Sequence, residues 1–244
     1  MLAMSRSGKV LMEIYQAMRE RFGHQDWWPG DSPLEICVGA ILTQNTNWGN
    51  VEKAIANLKA AGLLSVQALH AVPQEGLARL IKPAGYFNIK ARRLKNFIAR
   101  VHQYAQSARR RSGEPSGPDG ELAAFLDRSV SDLREDLLSI SGVGRETADS
   151  IALYAAGKCT FVVDAYTCRV LLRHGFIDAD CDYEGIKELL ESNLSADVAL
   201  YNDFHAQFVA VGKHYCRPVA RCEGCPLEKF PHDRKAGTRE ADEA

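Results

Sequence analysis

Apolar residues recur at helical spacing along nearly the whole chain. Val10, Leu11, Ile14, Tyr15 and Met18 form one stripe of the i, i+3, i+4 kind. Leu34 to Leu42 is apolar almost all round, the pattern of a helix buried in a core. Ile81-Lys-Pro-Ala-Gly-Tyr-Phe-Asn88 reads as a turn, with Asn88 capping a helix from Ile89. Ala148, Ile151, Ala152 and Ala155 line a further helix that Gly157 ends. Tyr201, Phe204, Phe208 and Val211 mark another. No strand pair and no internal repeat stands out, so the pattern predicts an all-α protein. Ser107 to Gly120 is rich in Gly, Pro, Ser and Arg and is expected to be a surface loop. The tail 233–244 is polar and expected to fray.

Composition narrows the function only a little. The 244 residues can form one large domain or two small ones. A content of 46% hydrophobic and 25% charged residues is ordinary for a globular protein. The net charge of −1 gives no global basic signature, so a nucleic-acid contact must rest on local geometry. No apolar run approaches the roughly 18 residues of a membrane span, and the first residues lead into an amphipathic pattern and not an apolar signal core. The expected compartment is the cytoplasm. Of the seven cysteines, Cys37, Cys159, Cys168 and Cys181 are scattered and read as reduced, mostly buried thiols. Cys216, Cys222 and Cys225 are clustered.

Candidate chemistry concentrates in Leu138-Ser-Ile-Ser-Gly-Val-Gly-Arg-Glu-Thr-Ala148. A short helix runs into a Gly-x-Gly turn and a second helix starts there. Glycines allow close approach to a ligand, and the first amides of a helix carry partial positive charge. That is a phosphate-binding end, with Arg145 adding a cation. One reading is an ordinary helix–helix connection. The other is a helix-hairpin-helix that grips a DNA phosphate through Gly142, Val143, Gly144, Arg145 and Thr147, fixing position without reading sequence. Asp164 follows twenty residues after Gly144. It is an N-cap candidate for a helix over Ala165–His174. A carboxylate does not help bind a polyanion, so a chemical role is also expected, and both readings can hold together. Lys90, Arg92, Arg93 and Lys95 are a solvated helix face or a phosphate contact.

The hairpin, Asp164, Gly39-Ala-Ile-Leu-Thr-Gln-Asn-Thr46 and Pro83-Ala-Gly-Tyr-Phe-Asn-Ile-Lys-Ala91 together resemble the helix-hairpin-helix, Gly/Pro-rich-loop-and-Asp superfamily of DNA glycosylases, near endonuclease III. Coverage runs from about Trp27 to Cys225. Trp27-Trp28-Pro29, Leu42 to Thr46 and Gly144-Arg-Glu-Thr-Ala-Asp149 are most similar to 3-methyladenine DNA glycosylase III.

The resemblance implies two helical lobes flanking a DNA-binding cleft. One is a six-helix barrel over 33–157 with the hairpin at about 131–157. The other comprises 1–32 plus 158–232. It implies a monomer acting on double-stranded DNA with a damaged base. Asp164 would stabilise an oxocarbenium-like state, Gln44 and Asn45 would fill the space the flipped base leaves, and Trp27 or Trp28 would stack on that base. Both tryptophans also read as core residues, and Gln44 as a polar helix end. Bifunctional members carry a lysine where this chain has Glu146. A carboxylate forms no Schiff base, so Glu146 implies a monofunctional enzyme; its plain reading is a first-turn acid favoured by the helix dipole. Adenine-mismatch relatives place a glutamate near Gly39-Ala40, which counts against that substrate.

Relatives of endonuclease III hold a [4Fe–4S] cluster on four cysteines. Here Cys216, Cys222 and Cys225 match three, with Pro231 at the fourth and His232 next to it. Three readings stay open: a cluster with His232 as an unusual ligand, a Cys3His zinc site, and a loop without metal. The rival functions are a bifunctional glycosylase/lyase acting on oxidised pyrimidines and a non-catalytic DNA-binding module.

Overall fold

The computed structural model describes residues 5–112 and 120–237, and among these the chain is helical with no strand. In order, α1 spans Arg6–Phe22, α2 Pro33–Leu42, α3 Trp48–Ala60, α4 Val66–Ala71, α5 Gln74–Leu80, α6 Phe87–Ser112, α7 Gly120–Leu126, α8 Val130–Ser139, α9 Arg145–Ser150, α10 Ala165–Arg173, α11 Tyr183–Asn193 and α12 Val198–His214. A 3-10 turn, Lys82–Ala84, precedes α6, and a π-helical stretch, Ile151–Ala155, continues α9. Among the described residues no helix is long and apolar enough to cross a membrane.

Short polar side chains set many of the starts. Ser32 accepts from Glu35 N with Pro33 in the first turn of α2, Ser129 accepts from Asp132 N, and Asp164 accepts from Thr167 N. Each satisfies an amide that the helix leaves without a partner. α9 differs, since Gly144 occupies its cap position and has no side chain to offer.

The chain divides into two compact units. Trp28–Lys158 is one. Its core gathers Val38, Ile41 and Leu42 of α2, Leu94, Phe97 and Ile98 of α6, Phe125 of α7, Leu133 and Leu137 of α8, and Ile151. The other takes the described residues of Met1–Trp27 and Cys159–Ala244. There Leu11, Ile14 and Met18 are buried, as are Phe161, Phe204 and Phe208, with Phe204 stacked on Phe208 at 4.8 Å.

Three local expectations change. α6 begins at Phe87, so Asn88 lies inside its first turn and does not cap it. The turn before it is made by Gly85 and Tyr86, both at positive φ (69° and 45°). α6 also runs on to Ser112, into the expected loop, because Ala105 is buried and Arg109 pairs with Glu121 of α7 at 2.9 Å. Residues 113–119 of that loop lie outside the described residues. The start of the tail is held in place: Asp233 N donates to Arg173 O and Arg173 Nε to Ala236 O. None of the seven cysteines forms a disulfide, and only Cys37 is fully buried among them.

Lys90 is a lysine turned inward. It is 1% exposed, and its Nζ donates to Leu42 O at 2.9 Å and Ala84 O at 2.7 Å. It thereby joins the end of α2 to the turn before α6. Burial, with repulsion from Arg93, pushes its amine down to about 8. The unfolded chain then binds more protons between that value and the ordinary lysine value of about 10.4, so Lys90 adds stability as pH rises through this window. Lys90→Met is expected to flatten that rise and to cost about 1–3 kcal/mol by leaving two buried carbonyls without donors. Thermal unfolding of both proteins between about pH 7.5 and 9.5 measures both effects.

Candidate active site and nucleic-acid interface

α8, the turn Ile140 to Gly144, and α9 form a hairpin. Ile140 turns out of α8 and accepts from Val143 N at 3.0 Å, while Gly144 O accepts from Ala148 N at 2.9 Å. Gly142 sits at φ 98°, a conformation that side chains disfavour, and a Cβ there would meet Arg93 Cγ at 2.3 Å. Arg134 on α8 grips Asp149 on α9 through Nε (2.9 Å) and Nη2 (3.2 Å), with Asp149 fully buried. Such a buried pair fixes the angle between the arms, because losing either partner strands a charge.

Gln44 is tied to this hairpin. Its Nε2 donates to Gly142 O (3.1 Å) and Thr147 Oγ1 (2.9 Å), and Arg93 Nη1 donates to its Oε1. Val143 and Thr147 are buried, while Gly144, Arg145 and Glu146 are exposed. The structure thus brings Gln44, Gly142 and Thr147 together. It leaves Glu146 on the surface in the first turn of α9. Asn45 is exposed at φ 52°, a region asparagine tolerates.

Trp28 packs with Trp48 (5.3 Å, edge-on) and Tyr154 (5.2 Å). Gly39 makes room for it, since a Cβ there would lie 3.2 Å from Trp28 Nε1. Trp27 belongs to the other unit and carries Lys213 Nζ over its ring at 5.6 Å.

Asp164 stands at the N-terminus of α10. Its Oδ1 accepts from Thr167 N (2.8 Å) and Thr167 Oγ1 (2.9 Å). Oδ2 points towards His205 Nε2 at 3.6 Å, and the Asp164 side chain is 12% exposed. Burial alone would push this carboxyl up. The His205 charge and the Thr167 hydrogen bonds outweigh it and hold Asp164 below the usual carboxylate range. The result is a nearly buried, fixed anion with one oxygen committed to the cap.

Sequence reading missed His205. A signal was present, because a histidine lies on the apolar face of α12 between Tyr201 and Phe208, and it is 4% exposed. Tyr86 was also passed over. It is 68% exposed at positive φ, which no periodicity announces.

Cys216, Cys222 and Cys225 line one cavity with His174, His232 and Leu227. Arg173, 3% exposed, donates to Cys216 Sγ (3.2 Å), Arg217 O (2.7 Å) and Pro218 O (2.8 Å). Burial, then the neighbouring thiols, pushes Cys225 up to about 11, so binding a metal there must displace its proton. His232 Nδ1 lies 2.8 Å from Phe230 O, which assigns the proton to Nδ1 and leaves Nε2 as a donor atom. Among the described residues no three His, Cys, Asp or Glu gather around one point as a single zinc ion requires. Thiolates are the usual ligands of an iron–sulfur cluster, and the three thiols and His232 line this one cavity.

The family model described as HhH-GPD superfamily base excision DNA repair protein matches residues 38–196. A protein of Methanocaldococcus jannaschii provisionally named a DNA repair glycosylase is 44% identical over 91% of this chain and 96% of its own length. The crystal structure of the Helicobacter pylori 3-methyladenine DNA glycosylase bound to 1,N6-ethenoadenine is 26% identical, with TM-score 0.67 over 85% of this chain and 97% of that one. An endonuclease III–DNA complex shares the fold, with TM-score 0.73 at 22% identity over 96% and 97% of the two chains. The chain therefore belongs to the HhH-GPD superfamily of base excision DNA repair glycosylases.

Proposed function

We propose that this protein is a monofunctional DNA glycosylase that flips a damaged base, an alkylated purine, out of double-stranded DNA and releases it with water. The observation that carries the reading is Asp164: a carboxylate held ionised while only 12% exposed. Breaking an N-glycosidic bond builds positive charge on the deoxyribose, and a preorganised anion beside it stabilises that charge and can take a proton from the attacking water. An alkylated purine that is already cationic leaves without a strong acid, so one carboxylate suffices. The substrate class is supported by the 3-methyladenine glycosylase of Helicobacter pylori, at 26% identity.

Gly142, Gly144 and Arg145 would meet the DNA phosphate, with buried Val143 and Thr147 holding the turn. The base leaves the stack to be reached. Gln44 and Asn45 would then enter the duplex, Gln44 exchanging its hairpin hydrogen bonds for DNA contacts. Trp27 or Trp28 would stack on the flipped base, an indole face being suited to a cationic partner. Cys216, Cys222, Cys225 and His232 would hold a [4Fe–4S] cluster, which when bound supplies a structural cross-link and no step of the reaction. The chain's own part is Arg173, which ties the loop together beside Cys216.

The bifunctional alternative needs an amine at the sugar. Lys90 has the lowered basicity such chemistry uses, but its Nζ is spent on two buried carbonyls. Lys158 Nζ lies 3.9 Å from Asp127. Glu146 offers no nucleophilic amine. Borohydride treatment during turnover is therefore expected to trap no protein–DNA adduct, whether on lesion-bearing or abasic duplex. A covalent adduct would establish the lyase reading instead.

A further inference from the structure

We propose that His205 is the positioning residue of Asp164, a counter-charge that keeps its carboxylate ionised and aimed before DNA arrives. The proposal rests on Asp164 being the group that assists base release.

α12 carries three buried polar residues at alternate positions: Asp203, His205 and Gln207, with exposures of 3%, 4% and 0%. Two are accounted for by the packing of α1 and the residues after it. Asp203 accepts from Tyr15 Oη (2.7 Å) and Gln25 N (3.2 Å), with Arg19 Nε 3.7 Å and His24 Nε2 4.0 Å away. Gln207 donates to Gly23 O at 2.7 Å. His205 answers to the other side of the helix, where its Nε2 is 3.6 Å from Asp164 Oδ2.

The approach of α10 to α12 makes this contact possible. A Cβ on Gly212 would lie 2.3 Å from Tyr166 Cδ1 and 2.7 Å from Tyr166 Cβ, so only glycine lets α10 settle this closely. The remaining charged groups of α10 look elsewhere. Arg169 Nε donates to Cys216 O, and Arg173 to Cys216, Arg217, Pro218 and Ala236. Cys168 is half-buried on the same helix. Tyr15 and Arg19 of α1 face Asp203.

The carboxylate is therefore held from two sides. Thr167 fixes Oδ1 and His205 faces Oδ2. A distance of 3.6 Å is too long for a hydrogen bond but short for a charge contact in a poorly hydrated place. A positive charge on the ring at that distance opposes protonation of Asp164.

The test is single-turnover base release from an alkylated duplex as a function of pH, for wild type, His205→Gln, His205→Leu and Asp164→Asn, with DNA affinity measured beside it. Both His205 variants are neutral at every pH. Their acid limbs are expected to move up by about one pH unit or more, with rate recovered at higher pH more fully in His205→Gln, and with DNA affinity unchanged. A residue that only packs would lower thermal stability and leave the limb in place. An unmoved acid limb in folded His205→Gln, with Asp164→Asn inactive, overturns the proposal; this variant also decides the matter if His205→Leu does not fold. Should Asp164→Asn release base as fast as wild type, the reading of Asp164 falls, and His205 with it.

Discussion

Asp164→Asn is expected to lower the single-turnover rate of base release by about a hundredfold or more while leaving DNA affinity close to wild type and the α10 cap in place, with only the stability of the charge contact to His205 lost. The two halves of that expectation have separate causes. Thr167 N and Oγ1 both donate to Asp164 Oδ1, and asparagine presents an oxygen in the same place and is as good a helix cap as aspartate. The local fold should survive. What goes is the negative charge beside the sugar, and loss of one preorganised electrostatic contact at a transition state costs about 3 kcal/mol or more. Asp164→Ala is the contrasting variant, since it removes the cap as well and should lower stability by about 1 kcal/mol. Because the Asp164 carboxyl is held below the usual range, the stability it contributes is present above the unfolded value. It is lost only as pH falls through the lower folded value. Base release should follow the same acid limb, well below neutrality.

The second large effect is expected at the hairpin. Gly142→Ala places a side chain at φ 98° and drives its Cβ to 2.3 Å from Arg93 Cγ. Arg93 must move, and it is the residue that donates to Gln44 Oε1. Gln44 in turn holds Gly142 O and Thr147 Oγ1. One added methyl therefore strains the turn and loosens the amide that anchors it. Strain of this kind costs about 1–3 kcal/mol. The proposed phosphate contact uses backbone groups of the same turn, so DNA binding should weaken about tenfold or more, for undamaged and lesion-bearing duplex alike, since a phosphate contact carries no base specificity. Calorimetric unfolding and fluorescence-anisotropy titration read the two losses. Weaker binding to lesion DNA alone would mean that the turn discriminates bases.

The sequence carried local features well. α2, α12, the hairpin and the Asp164 cap were all legible, because each is written in consecutive residues: an apolar run, a stripe, a Gly-x-Gly, an Asp before a helix. Contacts between distant residues were not. Gln44 meets Thr147 across 103 positions and His205 faces Asp164 across 41, and no spacing rule links them. Lys90 looked like one member of a basic surface run, yet it turns inward to cap two carbonyls, a choice made by tertiary packing. α6 outlasted its helical pattern for a similar reason, since the Arg109 pair with Glu121 lies on another helix. The start of the tail was read as loose because nothing local shows that Arg173 reaches it.

The most direct measurement is product analysis on duplexes carrying 3-methyladenine, 1,N6-ethenoadenine, oxidised pyrimidines or no lesion. Free base is identified by mass spectrometry, and strand integrity is read before and after alkali. The expected result is release of an alkylated purine with the strand intact until alkali is added. Release of oxidised pyrimidines with strand cleavage before alkali, or no release from any duplex while DNA binding persists, would contradict it.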